Sequence, residues 1–193
     1  RPRRDARRRD GNQRETRRLD METNERTPNF LGRAKLGLTA GLIGTTCMTA
    51  LQEVMARRRR TRMPMGPQMA ESDPWTHAPA PAQLAKRVME NITGREIAPD
   101  RIPVYTNAMH WGYGISMGAA YGLAQRWARG RPALQGPAFG LGVWAWSYAT
   151  LVPLGLYKWP WHYRGGAIAK DVSYHLLYGA GTAAGYELAG RKR

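Results

Sequence analysis

The stretch from Pro132 to Tyr157 (PALQGPAFGLGVWAWSYATLVPLGLY) runs for 26 residues without one Asp, Glu, Lys or Arg, in a chain that is 23% charged overall. A helix crosses the hydrocarbon of a bilayer with about 20 predominantly apolar residues, so this run predicts a membrane span over residues 134–156. Three further segments fit the same template. Leu36 to Gln52 carries no formal charge and extends to Met55, giving a span over 36–55. A secretory h-region is the competing reading of that segment. RRRRTR follows it in place of a small-residue cleavage site, which favours a retained helix. Ile102 to Gln125 predicts a span over 104–125, and the charge-free run Val172 to Tyr186 predicts one over 170–189. The expected fold is all-α: a bundle of four transmembrane helices occupying residues 35–193.

The net charge of +16 and the pI near 10.9 would ordinarily point to nucleic acid or an anionic surface. Here the charge is local. Nine Arg lie within residues 1–20 and five more are Arg57, Arg58, Arg59, Arg60 and Arg62. Residues 1–34 have almost no apolar periodicity and are expected to be disordered. Met21 raises the possibility that residues 1–20 lie upstream of the natural start. The arginines after the first span are expected to contact anionic lipid headgroups, and no specific nucleic acid partner is expected, because no reading motif accompanies them. The single Cys47 cannot form an internal disulfide and reads as a small thiol in an apolar run.

Residues 57–103 read as a polar loop. Within it a helix is expected over 81–93, with Leu84, Val88, Met89 and Ile92 on one side, lying on the membrane surface or capping the bundle. Trp75, Trp111, Tyr157, Trp159, Trp161 and Tyr163 have the amphipathic rings expected at the headgroup level.

Helices in lipid associate by close packing, and small residues four apart let backbones approach. Gly37 and Gly41 mark the first span, Gly114, Gly118 and Gly122 the second, Gly136 and Gly140 the third, and Gly181 and Gly185 the fourth. Spans two and four also resemble each other. HWGYGISMGAAYGLAQR from His110 and HLLYGAGTAAGYELAGR from His175 share eight of seventeen positions, among them His110/His175, Tyr113/Tyr178 and Gly114/Gly179. The match predicts two helical hairpins related by an axis along the membrane normal, with shared Gly/Ala composition as the alternative. With termini on one side, that side carries 18 Lys/Arg against 12, which predicts cytoplasmic termini.

Glu53, His110, Asp171 and His175 fall at one membrane face under this topology. Asp171 and His175 are four apart and share a helical face, so the carboxylate could orient the imidazole or both could bind a cation. The alternative is that all four are solvated near helix ends. A haem between His110 and His175, or a divalent metal, is a sharper and less favoured version. No Walker loop, GxGxxG, paired CxxC or HExxH is present, so no standard enzyme class is expected.

Three segments, VYTNAMHWGYGISMGAAYG, LVPLGLYKWPW and KDVSYHLLYGAG, make roughly the last 90 residues resemble bacterial inner-membrane proteins of the YagU type. The resemblance implies a small multispan protein of the cytoplasmic membrane and assigns no catalytic residue. The Arg-rich tail and the loop 57–103 depart from that pattern. The expected function is a non-catalytic accessory or structural subunit, packing against other membrane subunits, a second copy, pigments or lipids. A small transporter or proton pathway using Glu53, His110, Asp171 and His175 is the alternative.

Overall fold

The protein is described by a computed structural model that covers residues 29–62, 73–125, 127 and 131–191. The expected disorder of the tail and the question of Met21 concern residues outside that set, as far as residue 28. Among the described residues the regular structure is entirely helical: α1 (Phe30–Arg62), α2 (Ala80–Thr93), α3 (Ile102–Ala124), α4 (Pro132–Leu151) and α5 (Gly165–Gly190), with short 3₁₀ turns at Pro74–His77, Pro99–Arg101 and Pro160–His162.

Several expected boundaries shift, each for a local reason. α1 begins at Phe30, inside the expected tail, because the Asn29 side chain accepts from Gly32 N–H at 2.8 Å and its carbonyl from Arg33 N–H at 2.9 Å. It then continues through Arg62, so the arginine run belongs to the helix rather than the loop. α4 stops at Leu151, short of 156, since Pro153 follows and Gly155 turns the chain with φ of 68°. α5 starts at Gly165 and ends at Gly190, longer than expected at its N-terminal end.

The four long helices pack in the order α3, α1, α5, α4, with α1 and α5 at the centre and α2 laid against α3. Glycines decide where they cross. A Cβ on Gly41 would fall 2.8 Å from both Gly114 O and Gly118 Cα, and one on Gly37 would fall 2.8 Å from Ala119 Cα. α1 and α3 are therefore antiparallel with touching backbones. In the second hairpin a Cβ on Gly136 would meet Gly179 O, Ala183 Cβ and Ala180 Cα, while Gly41 faces Gly114 O, Gly118 Cα and Ile115 Cα. Each α5 atom lies 65 positions after its α3 counterpart, the offset of the sequence match. The two hairpins thus make the same crossing. They do not meet symmetrically, because α1 packs on α5 whereas α4 has no matching interface with α3.

Gly181 and Gly185 face α1 at Cys47 and Ile43, and Gly44 presses on Tyr178 O. Thr45 and Thr182, 1% and 0% exposed, donate to the carbonyls four residues back, Gly41 O at 2.7 Å and Tyr178 O at 2.8 Å. Their hydroxyls are satisfied inside their own helices, so they pack as small residues. Leu36, Val143 and Leu151 are buried, but many large aliphatic side chains point outward, with Leu38, Leu42, Leu141 and Leu188 all exposed.

The connection between α1 and α3 has a small core of its own. Trp75, expected at the lipid interface, is instead 5% exposed and packs with Ala78, Ala82, Ile97, Ile102 and Tyr105. Its indole N–H donates to Ile97 O at 2.9 Å, which removes the polar reason for lying at an interface. α2 ends at Gly94 with φ of 64°, and Glu90, paired with Lys86 Nζ at 2.8 Å in the same helix, holds the segment that follows by accepting from Ile97 N–H at 2.9 Å.

The Lys86 hydrogen bond, helped by the Ile97 N–H, holds the Glu90 carboxyl below its usual 4.5. A carboxyl depressed on folding stabilises above its unfolded value and loses that contribution as pH falls through the lower folded value. The Ile97 amide is therefore expected to exchange faster at pH 3 than at pH 6 after correction for intrinsic rates. Glu90→Gln should remove the difference between the two pH values, and equal pH dependence in both proteins would contradict this assignment.

Candidate functional site

Because α3 and α4 lack a packed interface, the space between them has to be filled in another way. At the end holding the start of α1 and the end of α5, aromatic rings fill it. Tyr121 lies 4.9 Å from Phe139 and 5.8 Å from Tyr186 between ring centroids, and Phe139 lies 6.2 Å from Tyr178. At the opposite end the gap stays open as a pocket of about 480 Å³, with Pro81 and Leu84 of α2 along its rim. That volume is within the range of small-molecule sites.

Three of the four expected site residues line the pocket: His110 from α3, and Asp171 and His175 from α5. Glu53 does not. It is one residue past the pocket-lining Gln52, and its carboxylate turns outward to Arg57 at 2.8 Å in an exposed i,i+4 pair. The helical step of about 100° per residue accounts for the miss. Arg57 and Arg58 are exposed at the same end of α1.

Asp171 Oδ2 accepts from Trp144 Nε1 at 2.9 Å and from the Tyr148 hydroxyl at 3.1 Å, both from α4. Oδ1 lies 3.7 Å from His175 Nδ1, whose hydrogen bond goes to the Asp171 backbone carbonyl at 2.9 Å. A carbonyl only accepts, so His175 Nδ1 is the donor, and in the neutral tautomer that this selects, Nε2 holds the lone pair. On α3, His110 Nε2 is 2.9 Å from Thr49 Oγ1, and the single Thr49 proton goes to Thr45 O at 2.8 Å. His110 must therefore donate through Nε2, which leaves Nδ1 as its acceptor.

Two tyrosines matched in the repeat behave differently. The Tyr178 hydroxyl donates to Gly114 O at 2.7 Å across the α5 to α3 gap. The Tyr113 hydroxyl is buried and has no hydrogen-bond partner. Its neighbour Ser147 directs its own proton to Val143 O at 2.9 Å. Tyr157, beyond the end of α4, is pushed up to about 12 by burial first and by the Asp171 charge second, so it stays a protonated donor at neutral pH.

Among the described residues no group of three or more His, Cys, Asp or Glu side chains could hold a metal ion. Axial haem ligation is disfavoured too, because His110 would have to break its Thr49 hydrogen bond to offer Nε2. Gly114-Ile115-Ser116-Met117-Gly118 has the spacing of a nucleophile elbow. It lies within α3, not at a strand-to-helix turn, and exposed Ser116 donates to Gly112 O at 2.7 Å, so it carries no such role.

Among the remaining aromatic positions, Trp111 is half-buried with its ring edge-on to His110 at 6.1 Å. Trp159 and Trp161 stack at 5.0 Å and 5° and are exposed, as is Tyr163, whose hydroxyl accepts from Lys158 N–H. Trp144, Trp146 and Tyr148 were not separable from span-filling aromatics by sequence. A cross-helix contact to Asp171 leaves no periodic signal along α4.

Comparison of the chain with protein-family models, with curated proteins and with solved structures found no match. The resemblance to YagU-type proteins rests on its three motifs alone.

Proposed function

We propose that the chain is a four-span integral protein of a bacterial cytoplasmic membrane, a non-catalytic subunit that holds a small amphiphile in the pocket between α3 and α4. One helix, Phe30–Arg58 of α1, is long and apolar enough to cross a membrane by length and composition. The proposal extends that role to α3, α4 and α5. The observation that carries it is the distribution of side chains across the bundle. Gly, Ala and Thr occupy the helix crossings, whereas Leu38, Leu42, Leu141, Trp146 and Leu188 are exposed. In water that order wastes apolar burial, the main favourable term in folding. In lipid it costs nothing outside and gains close packing inside. The exposed stacked Trp159 and Trp161 suit the headgroup level, and the exposed apolar exterior suits other membrane subunits or a second copy.

The occupant is expected to survive purification. Mild-detergent purification followed by solvent extraction and mass spectrometry should recover one amphiphile in near-stoichiometric amount. Ser147→Trp, which places an indole in the pocket, should abolish that recovery. A wild-type protein that carries only the bulk lipid mixture, in the same proportions as the variant, would contradict the reading.

The second reading, a proton or ion pathway, is favoured by the meeting of His110, Asp171 and His175. The rings of Tyr121, Phe139, Tyr178 and Tyr186 oppose it, since they close the far end of the gap. Reconstituted protein is therefore expected to pass no protons above empty liposomes. Flux that His110→Ala and His175→Ala both remove would establish the pathway instead.

A further inference from the structure

We infer that the molecule held in the pocket is a lipophilic organic ammonium cation, with its charged nitrogen beside Asp171 and its apolar tail leaving between α3 and α4. The inference rests on the pocket being a binding site, and it adds the chemistry of the ligand. The first argument is charge. The chain has 30 Lys and Arg against 14 Asp and Glu, yet among the described residues no Lys or Arg lines this pocket, and Asp171 is the only carboxylate that does. A carboxylate held among apolar walls is costly unless something positive meets it. Its hydrogen-bonding partners within the protein are neutral donors, the Trp144 indole and the Tyr148 hydroxyl, and both act on Oδ2, while His175 Nδ1, 3.7 Å from Oδ1, directs its hydrogen bond to the Asp171 backbone carbonyl instead. Oδ1 accepts no hydrogen bond from a described residue.

The second argument is the balance of donors and acceptors. As neutral imidazoles, with the tautomers set by Thr49 and by the Asp171 carbonyl, each histidine keeps a lone pair, and the Tyr113 hydroxyl is without a partner. Against these lone pairs and the carboxylate the described lining sets neutral hydroxyl donors, Tyr113 and Tyr157, and no Lys or Arg. An anion would meet a carboxylate and two lone pairs without a compensating cation.

The third argument separates organic from inorganic cations. A hard metal ion needs several oxygen or nitrogen ligands, and the described residues offer no group of three. The pocket that Asp171 lines is rich in aromatic rings, with Tyr113, Trp146, Tyr148, Tyr157 and Tyr178 in its wall and the Tyr148 hydroxyl on Asp171 itself. Aromatic rings attract a substituted ammonium, most strongly where water is excluded. Trp146 is 60% exposed at the edge of the gap, which leaves an apolar path outward for a tail.

The test uses three probes of similar size on the purified full chain in nonionic detergent, read by tryptophan fluorescence and calorimetry. They are hexyltrimethylammonium, 1-octanol and hexanesulfonate. The ammonium probe is expected to bind at least about tenfold more tightly than the other two, the scale of a desolvated cation–π and carboxylate contact. Asp171→Asn, which keeps an acceptor for Trp144 and Tyr148, should remove that preference and leave octanol affinity unchanged.

Equal binding of octanol and ammonium to the wild-type protein would overturn the cation assignment and leave the pocket standing. Tighter binding of the sulfonate would overturn it as well. Binding of none of the three would remove both the assignment and the pocket reading. Should Asp171→Asn fail to fold, the ranking of the three probes on the wild-type chain decides alone.

Discussion

Gly118→Leu is expected to prevent stable assembly of the bundle. At this position even a single added carbon has no room, because a Cβ would fall on Gly41 Cα and against Gly37 O, backbone atoms that cannot rotate away. Relief requires α1 and α3 to separate, and α1 also carries the interface with α5. The loss is expected to be about 3 kcal/mol or more, at the top of the range for overpacking a close-packed interior. The repeat makes the same prediction for Gly179, whose Cβ would meet Gly136 O and lie 2.6 Å from Gly140 N. Gly112, in α3 with Gly118, and Gly142, in α4, which packs on Gly179 of α5, are controls, since nothing lies within 4 Å of a Cβ on either. Gly112→Ala and Gly142→Ala should match the wild-type melting temperature in detergent or exceed it, as alanine favours a helix by roughly 1 kcal/mol over glycine. Four variants of equal stability would show that the glycines are compositional.

Asp171→Leu is expected to give the second large effect. The substitution leaves the Trp144 indole N–H and the Tyr148 hydroxyl without an acceptor at the contact between α4 and α5. Each unsatisfied donor costs on the order of 1–3 kcal/mol. Asp171→Asn should recover most of the loss, because its amide oxygen can accept from both. Trp144 reports on the contact directly, so its fluorescence should shift in the Leu variant and return towards the wild type in the Asn variant. If Leu and Asn were equally stable, the bonds to Asp171 would carry no weight in joining the two helices.

The parts of this architecture that were legible in the sequence are those with a period. Charge-free runs marked α1, α3, α4 and α5, and glycines four apart marked the crossings at Gly37, Gly41, Gly118 and Gly136. The match between His110–Arg126 and His175–Arg191 reappears as two hairpins with the same backbone contacts. What stayed hidden depends on rotation about a helix axis and on neighbours far along the chain. Glu53 and Gln52 differ by one step, and only Gln52 reaches the pocket. Trp75 resembled an interfacial anchor until Ile97, 22 positions later, supplied its acceptor. The pocket itself follows from an interface that is missing, between α3 and α4, and a missing interface leaves no pattern in either helix.

Surrounding medium is the question on which all of this turns, and it can be read one helix at a time. Leu42, Ser116, Leu141 and Leu177 are exposed positions well inside α1, α3, α4 and α5. Each would be replaced singly by cysteine in a Cys47→Ser background and treated, in native membranes, with a maleimide that cannot enter lipid. All four sites are expected to resist labelling until detergent and denaturant are added, with a cysteine at exposed Asn91 in the connecting segment as the reactive control. Rapid labelling of the sites on α3, α4 and α5 in intact membranes would place those helices in water and contradict the four-span account.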